Sequence, residues 1–91
     1  MNQVIELGSV VKAIAGRDKD NFFVVVGVIN DEYVFIANGK NRTITNPKRK
    51  KLKHLKSTNQ KVDTIADKLK DGKKVFDSEV FSAIKICLPK N

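Results

Sequence analysis

The stretch "FFVVVGVI", residues 22–29, most narrows what this chain can fold into. Eight consecutive apolar positions are too few for a stable helix, and the β-branched valines disfavour one, so the run reads as a strand. "SVVKAI" (9–14) and "YVFIA" (33–37) share that character. Asn30-Asp31-Glu32 separates the last two runs and "NGKN" (38–41) follows the third; both joints read as hairpin turns, since Asn-Gly readily takes positive φ. Strands at this spacing predict a small antiparallel barrel, and Gly27 inside the second marks a bend or bulge.

Beyond residue 58 the apolar period changes. Val62, Ile65, Ala66 and Leu69 fall on one stripe of a helix, with Thr58 or Asn59 as its N-cap and Gly72 as a left-handed C-cap. Lys68 and Lys70 stand in its last turn, where the helix dipole favours cations. "FDSEVFSAIKICL" predicts a second helix capped by Asp77, with Phe76 stapled onto Phe81. Its stripe is Val80, Phe81, Ile84 and Cys87 or Leu88, and Pro89 ends it. These stripes need a cover, either the barrel or a partner protein. A chain of 91 residues, 41% apolar, supports one small core. The expected organisation is a mainly β fold, a barrel over 1–58, and a helical pair over 59–91 that packs on it as part of one domain.

The charge is localised. Residues 1–40 carry a net −1, residues 41–60 carry +7 without a single acid, and residues 61–91 carry +2, making up the total of +8. A field concentrated in this way attracts polyanions over about a Debye length, ~8–10 Å at ordinary salt. Nucleic acid is the commonest such partner; an anionic membrane or an acidic protein are the alternatives. The lone Cys87 suits a reducing compartment. No apolar run reaches the ~18 residues of a membrane span, and "MNQVIELGSVVK" does not read as a signal peptide, so a cytoplasmic protein is expected.

Within the basic window, "NPKRKKLKHLK" (46–56) has three readings: a free basic tail, a localisation tag, or a folded rim. Leu52 and Leu55 interrupt the cations, and the run is tied between a strand and a helix, which favours the folded rim. Pro47 argues against a helix here. A fourth strand starting near Lys51 is the simplest reading, with Leu55 inward and Leu52 at a bulge or loop end. Such a rim would project Lys48, Arg49, Lys50 and Lys51 together, with Arg42 joining them and Lys53 and His54 following.

"GSVVKAIAGRDKDNFFVVVGVINDEYVFIANG" (8–39), followed by "PKRKKLKHLK", resembles a KOW-type module. It is similar to the small bacterial KOW-domain RNA-binding proteins and to the KOW-bearing large-subunit ribosomal proteins of archaeal and eukaryotic type. The resemblance covers roughly residues 7–58 and implies an SH3-like barrel that docks on RNA through its first loop and basic rim. By that likeness Gly8 opens the first strand, Val11 faces the core, and residues 15–19 form the loop, with Arg17 and Lys19 its cations. Where the pattern usually has a second glycine, this chain has Asp20 and then Asn21, which shifts the expected RNA contact towards residues 42–56.

Enzyme chemistry is not expected. One histidine and one cysteine cannot make a four-ligand zinc site, and "GRDKDN" lacks the Gly-Lys-Ser/Thr of a phosphate-cradling loop. Cys87 reads as core, and the acid pairs Asp18/Asp20 and Asp31/Glu32 read as turn chemistry. Phe22, Phe23, Tyr33 and Phe35 are candidates for stacking on bases, but in a small barrel the phenylalanines are expected in the core; Tyr33, at a hairpin end, is the aromatic expected to reach RNA. The resulting expectation is a non-catalytic protein that binds structured RNA, ribosomal RNA above all, with no cofactor, metal, membrane or small-molecule substrate. A protein-interaction adaptor of the transcription or translation machinery is the alternative, and a DNA-binding module is weaker for want of a basic recognition helix.

Overall fold

Val10 and Val11 are neighbours that point to opposite sides of a strand, yet both are fully buried. The computed structural model, which describes residues 5–87, shows why. β1 (Ser9–Ala13), β2 (Phe22–Val28), β3 (Tyr33–Ala37), β4 (Lys48–Lys51) and β5 (Leu55–Lys61) form one antiparallel sheet in the order β4-β3-β2-β1-β5. Val11, Ala13, Phe23, Val25, Val34, Ile36 and Leu55 fill its concave side. Val10, Val24 and Ala37 face the other way and meet Ile65, Val75, Val80 and Ile84 from the C-terminal segment. Continuous apolar runs on β1 and β2 thus serve two cores at once. Burying an aliphatic side chain of this size is worth about 1.5–3 kcal/mol, which is what docks the helices on the sheet.

The fold is mainly β and SH3-like in strand order, with a three-residue 3-10 turn, Leu52–His54, between β4 and β5. β4 and β5 are joined by that turn rather than paired, so the barrel is a curled, unclosed sheet. Leu55 is buried and Leu52 begins the turn, as the leucine spacing suggests. Gly27 does mark a bulge: the β2–β3 register shifts between Val25 and Gly27. Asn30 closes the β2–β3 hairpin by accepting from the Glu32 and Tyr33 N–H groups at 2.8 and 2.9 Å. The Asn38-Gly39 turn closes onto the Arg42 carbonyl, but β4 begins only at Lys48, so a longer loop replaces the expected tight hairpin. Gly39 is obligatory there. It has φ +79°, and a Cβ would come within 2.2 Å of the Asp77 carbonyl oxygen.

The helix boundaries depart from the sequence reading. Residues 58–61 are strand, because the edge of β1 offers them a partner: Ser9 pairs with Lys61 and Val10 with Gln60. The Thr58 hydroxyl donates to the Val10 carbonyl at 2.8 Å, and Asn59 takes φ +64° in the bulge, so neither caps a helix. α1 spans only Asp63–Lys70, with Ile65 and Ala66 buried, Val62 at its N-cap without a side-chain bond, and left-handed Gly72 just beyond Asp71. α2 spans Asp77–Cys87 with Val80 and Ile84 buried. Asp77 is helical rather than a cap; its carboxylate accepts the Ile44 N–H at 2.8 Å and pins the 38–47 loop. Glu79 reaches back to the Phe76 N–H at 2.9 Å in the manner of a capping box. Phe76 and Phe81 both stay exposed, with Lys74 and Lys40 over their rings. Leu88 and Pro89 lie outside the described residues. No helix among the described residues is long and apolar enough to cross a membrane.

Two stability predictions follow from local geometry. Asp20 adopts φ +73°, a conformation that costs an L-residue energy and glycine almost none. Asp20→Gly should therefore raise the unfolding free energy by about 0.5–1 kcal/mol in urea titration; a loss would show that its 3.8 Å ion pair with Lys12 outweighs the strain. Separately, the hydrogen bond from Lys68 of α1, and then that from the Phe76 N–H, hold the Glu79 carboxyl below its ordinary value of 4.5. A depressed pKa contributes stability above the ordinary value that fades as pH falls through the folded one. Glu79→Gln should lower the melting temperature at pH 7, with the gap to the parent closing as pH falls below 4.5 through the lowered folded value.

Candidate nucleic-acid interface

Three segments converge at one end of the barrel: the β1–β2 loop (14–21), the stretch from Arg42 to Lys48, and the 3-10 turn. The bonds that gather them are specific. Asp18, with its side chain only 7% exposed, lies 3.4 Å from Arg42 Nη2 and 3.9 Å from Lys48 Nζ. Lys50 Nζ donates to the Ala15 carbonyl at 3.0 Å. The Ile14 N–H donates to the His54 carbonyl at 2.9 Å. The loop and the basic window, read separately in the sequence, therefore form one surface.

Strand alternation sorts the cations of β4. Lys48 and Lys50 stand opposite Ile36 and Val34, on the concave side; Arg49 and Lys51 stand opposite Phe35 and Tyr33, on the convex side. Lys50 is only 8% exposed, so the structure turns this expected contact residue inward as a brace for the loop. Arg17, Lys19, Arg49 and Lys53 are exposed, while Arg42, Lys48, Lys51, His54 and Tyr33 are half-buried. The guanidinium of Arg49 sits 4.9 Å from the centre of the Tyr33 ring, and Lys51 Nζ 5.8 Å from it. A groove of about 550 Å³ beside the loop extends the basic surface with Lys12, Lys19 and Lys56 in its wall. Asp31 and Glu32 at the β2–β3 hairpin bound the surface with negative charge.

Two residues escaped the sequence reading. Asp18 is not turn chemistry but the carboxylate that binds the rim together. Phe35 is not core but 38% exposed. The second was readable: in "YVFIA" strict alternation puts Tyr33 and Phe35 on one face and buried Val34 and Ile36 on the other. No cluster of potential metal ligands occurs among the described residues.

A half-open SH3-like sheet with a KOW-type loop and a basic rim is the build of the KOW-bearing large-subunit ribosomal proteins of archaeal and eukaryotic type. No family model matches the chain. It is 32% identical over 85 residues to the large ribosomal subunit protein eL14 of Pyrobaculum islandicum, across 93% of this chain and 76% of that protein. Identity is 33% over 85 residues with the eL14 proteins of Pyrobaculum arsenaticum and Pyrobaculum aerophilum, with the same coverage. The chain belongs to the eL14 family of large ribosomal subunit proteins. That is a family of ribosomal constituents, not of enzymes.

The rim makes a direct prediction. Asp18→Asn removes the charge shared by Arg42 and Lys48 and should cost about 1–3 kcal/mol in chemical unfolding. Amide exchange should quicken across residues 14–21. An unchanged unfolding midpoint would mean that the carboxylate holds nothing in place.

Proposed function

We propose that this protein binds structured ribosomal RNA as part of the large ribosomal subunit, recognising phosphates through the rim formed by the β1–β2 loop and residues 42–54. The observation that carries the reading is the gathering of Arg17, Lys19, Arg42, Lys48 and Lys53 from three chain segments onto one braced surface. Preplaced cations lose little conformational entropy when they meet phosphates, whereas a free basic tail must be ordered at that moment. The naming of its relatives as large ribosomal subunit proteins supports ribosomal RNA as the polyanion and the cytoplasmic ribosome as the location. Arg42 and Lys48 act from beside Asp18, and Arg49 and Lys51 act from the convex face. A protein neighbour within the same particle is favoured by one further feature: Ile86, 80% exposed on α2, with Phe81 also uncovered.

Contact with about four to six phosphates gives a log–log salt slope of about −3 to −5 for binding to ribosomal RNA fragments. Replacing Arg17, Lys19 and Lys53 together by serine should flatten the slope by about two to three and leave the melting temperature within a few degrees. Salt-indifferent binding, or an unaltered slope in the triple variant, would remove the rim from the mechanism.

A further inference from the structure

The convex face of the sheet is covered unevenly. At the β1 side and the far end of β3, Val10, Val24 and Ala37 lie under the helical segment. At the opposite end, Tyr33 and Phe35 of β3 and Arg49 and Lys51 of β4 lie on the same face without that cover. Ala37, Phe35 and Tyr33 are successive outward positions on one strand, so the uncovered patch continues the helix-covered surface directly.

The patch has the chemistry of a base-stacking surface. Arg49 and Lys51 already lie over Tyr33 at 4.9 and 5.8 Å, holding a guanidinium plane and an aromatic ring together. No cation among the described residues lies over the Phe35 ring. Gly27 on β2 is paired with Phe35, and a Cβ at that position would come within 3.1 Å of the Phe35 ring. A side chain at 27 would displace the ring by a few tenths of an ångström, whereas glycine lets it lie over β2. A ring laid over a bare strand and bordered by cations suits a nucleobase on the ring and phosphates on the cations. A buried duplex base has no exposed π-face to offer, so the ligand class is an unpaired nucleotide.

We infer that the Phe35–Tyr33 face stacks unpaired RNA bases, with Gly27 seating Phe35 and with Arg49 and Lys51 holding the adjoining phosphates. This deepens the RNA-binding reading and rests on it: the rim binds phosphates by charge, and the convex face adds selectivity for unpaired segments.

Tyr33 is the sole tyrosine and the chain has no tryptophan, so intrinsic tyrosine fluorescence reports on this face alone. The probes are single-stranded oligoadenylate of about ten nucleotides, a blunt RNA duplex of the same length, and polyphosphate. Oligoadenylate should quench Tyr33, and polyphosphate and duplex should bind with little quenching. Phe35→Ala and Phe35→Leu should both weaken oligoadenylate binding about 5- to 100-fold and leave duplex and polyphosphate binding and the salt slope unchanged. Leucine keeps an apolar cover over Gly27 without a π-face, so loss in that variant at an unaltered melting temperature separates stacking from folding. Equal quenching by polyphosphate, or full oligoadenylate affinity in Phe35→Leu, overturns the inference. Duplex binding that keeps its salt slope in the same experiments would leave the phosphate-binding reading standing; failure of all three probes to bind would defeat both.

Discussion

The sheet carries apolar side chains on both faces along β1 and β2, whereas β4 carries none on either, and most of the molecule is organised by that asymmetry. Where both faces are apolar, the convex side must be covered, and α1 and α2 supply Ile65, Val80 and Ile84 against Val10, Val24 and Ala37. Towards β4, beyond the reach of the helices, the convex side carries Tyr33, Phe35, Arg49 and Lys51. The helices therefore do two things at once. They complete a second core for a domain too small to rely on one, and their limited reach determines how much of the sheet stays open.

Crowding cations onto β4 would ordinarily oppose folding, since no acid occurs between residues 41 and 60. The structure disperses that repulsion by sending successive cations to different partners. Lys48 meets the Asp18 carboxylate, Lys50 meets the Ala15 carbonyl, and Arg49 and Lys51 meet the π-face of Tyr33. A two-residue period makes this possible, because neighbours in sequence leave the strand in opposite directions. On a helix the same four residues would fan out over little more than one turn, with fewer distinct partners within reach. Asp18 is set apart by its burial among the acids of the loop, as Asp20 is exposed and answers only Lys12.

The first three strands were legible because the β-branched runs and the turn residues agree: β3 begins and ends where "YVFIA" does, and β1 and β2 each end one residue early. The basic window was not: the fourth strand expected from near Lys51 ends there instead, spanning Lys48–Lys51, and a fifth follows the turn at Leu55 because β1 offers it an edge. The start of α1 was not, because "STNQK" carries good capping residues whose use depends on a distant edge. The unpaired side of β1 takes residues 58–61 into the sheet, and the Thr58 hydroxyl goes to Val10 instead of to a helix end. Asp77 misled for a similar reason: a capping residue by type, it is spent on the Ile44 amide thirty-three positions away. For the candidate site, net charge and the leucines pointed to a folded basic window, and residues 48–61 do form strand, turn and strand. What they could not show is which cation turns inward, since Lys48, Arg49, Lys50 and Lys51 are alike to composition and differ only through register with β3.

Coupling between core and surface comes from this register. Lys50 reaches Ala15 only while β4 pairs with β3 at Lys50–Val34, and Val34 is fixed by the concave core that it shares with Phe23 and Ile36. A one-residue slip would exchange the faces of every β4 side chain, pointing Arg49 and Lys51 into the barrel and exposing Lys50. The arrangement of the cations at the rim is thus an output of apolar packing ten or more residues away in sequence, not a property of the basic segment alone. That is the physical reason why a peptide with the sequence of residues 46–56 is not equivalent to the same residues held in the sheet.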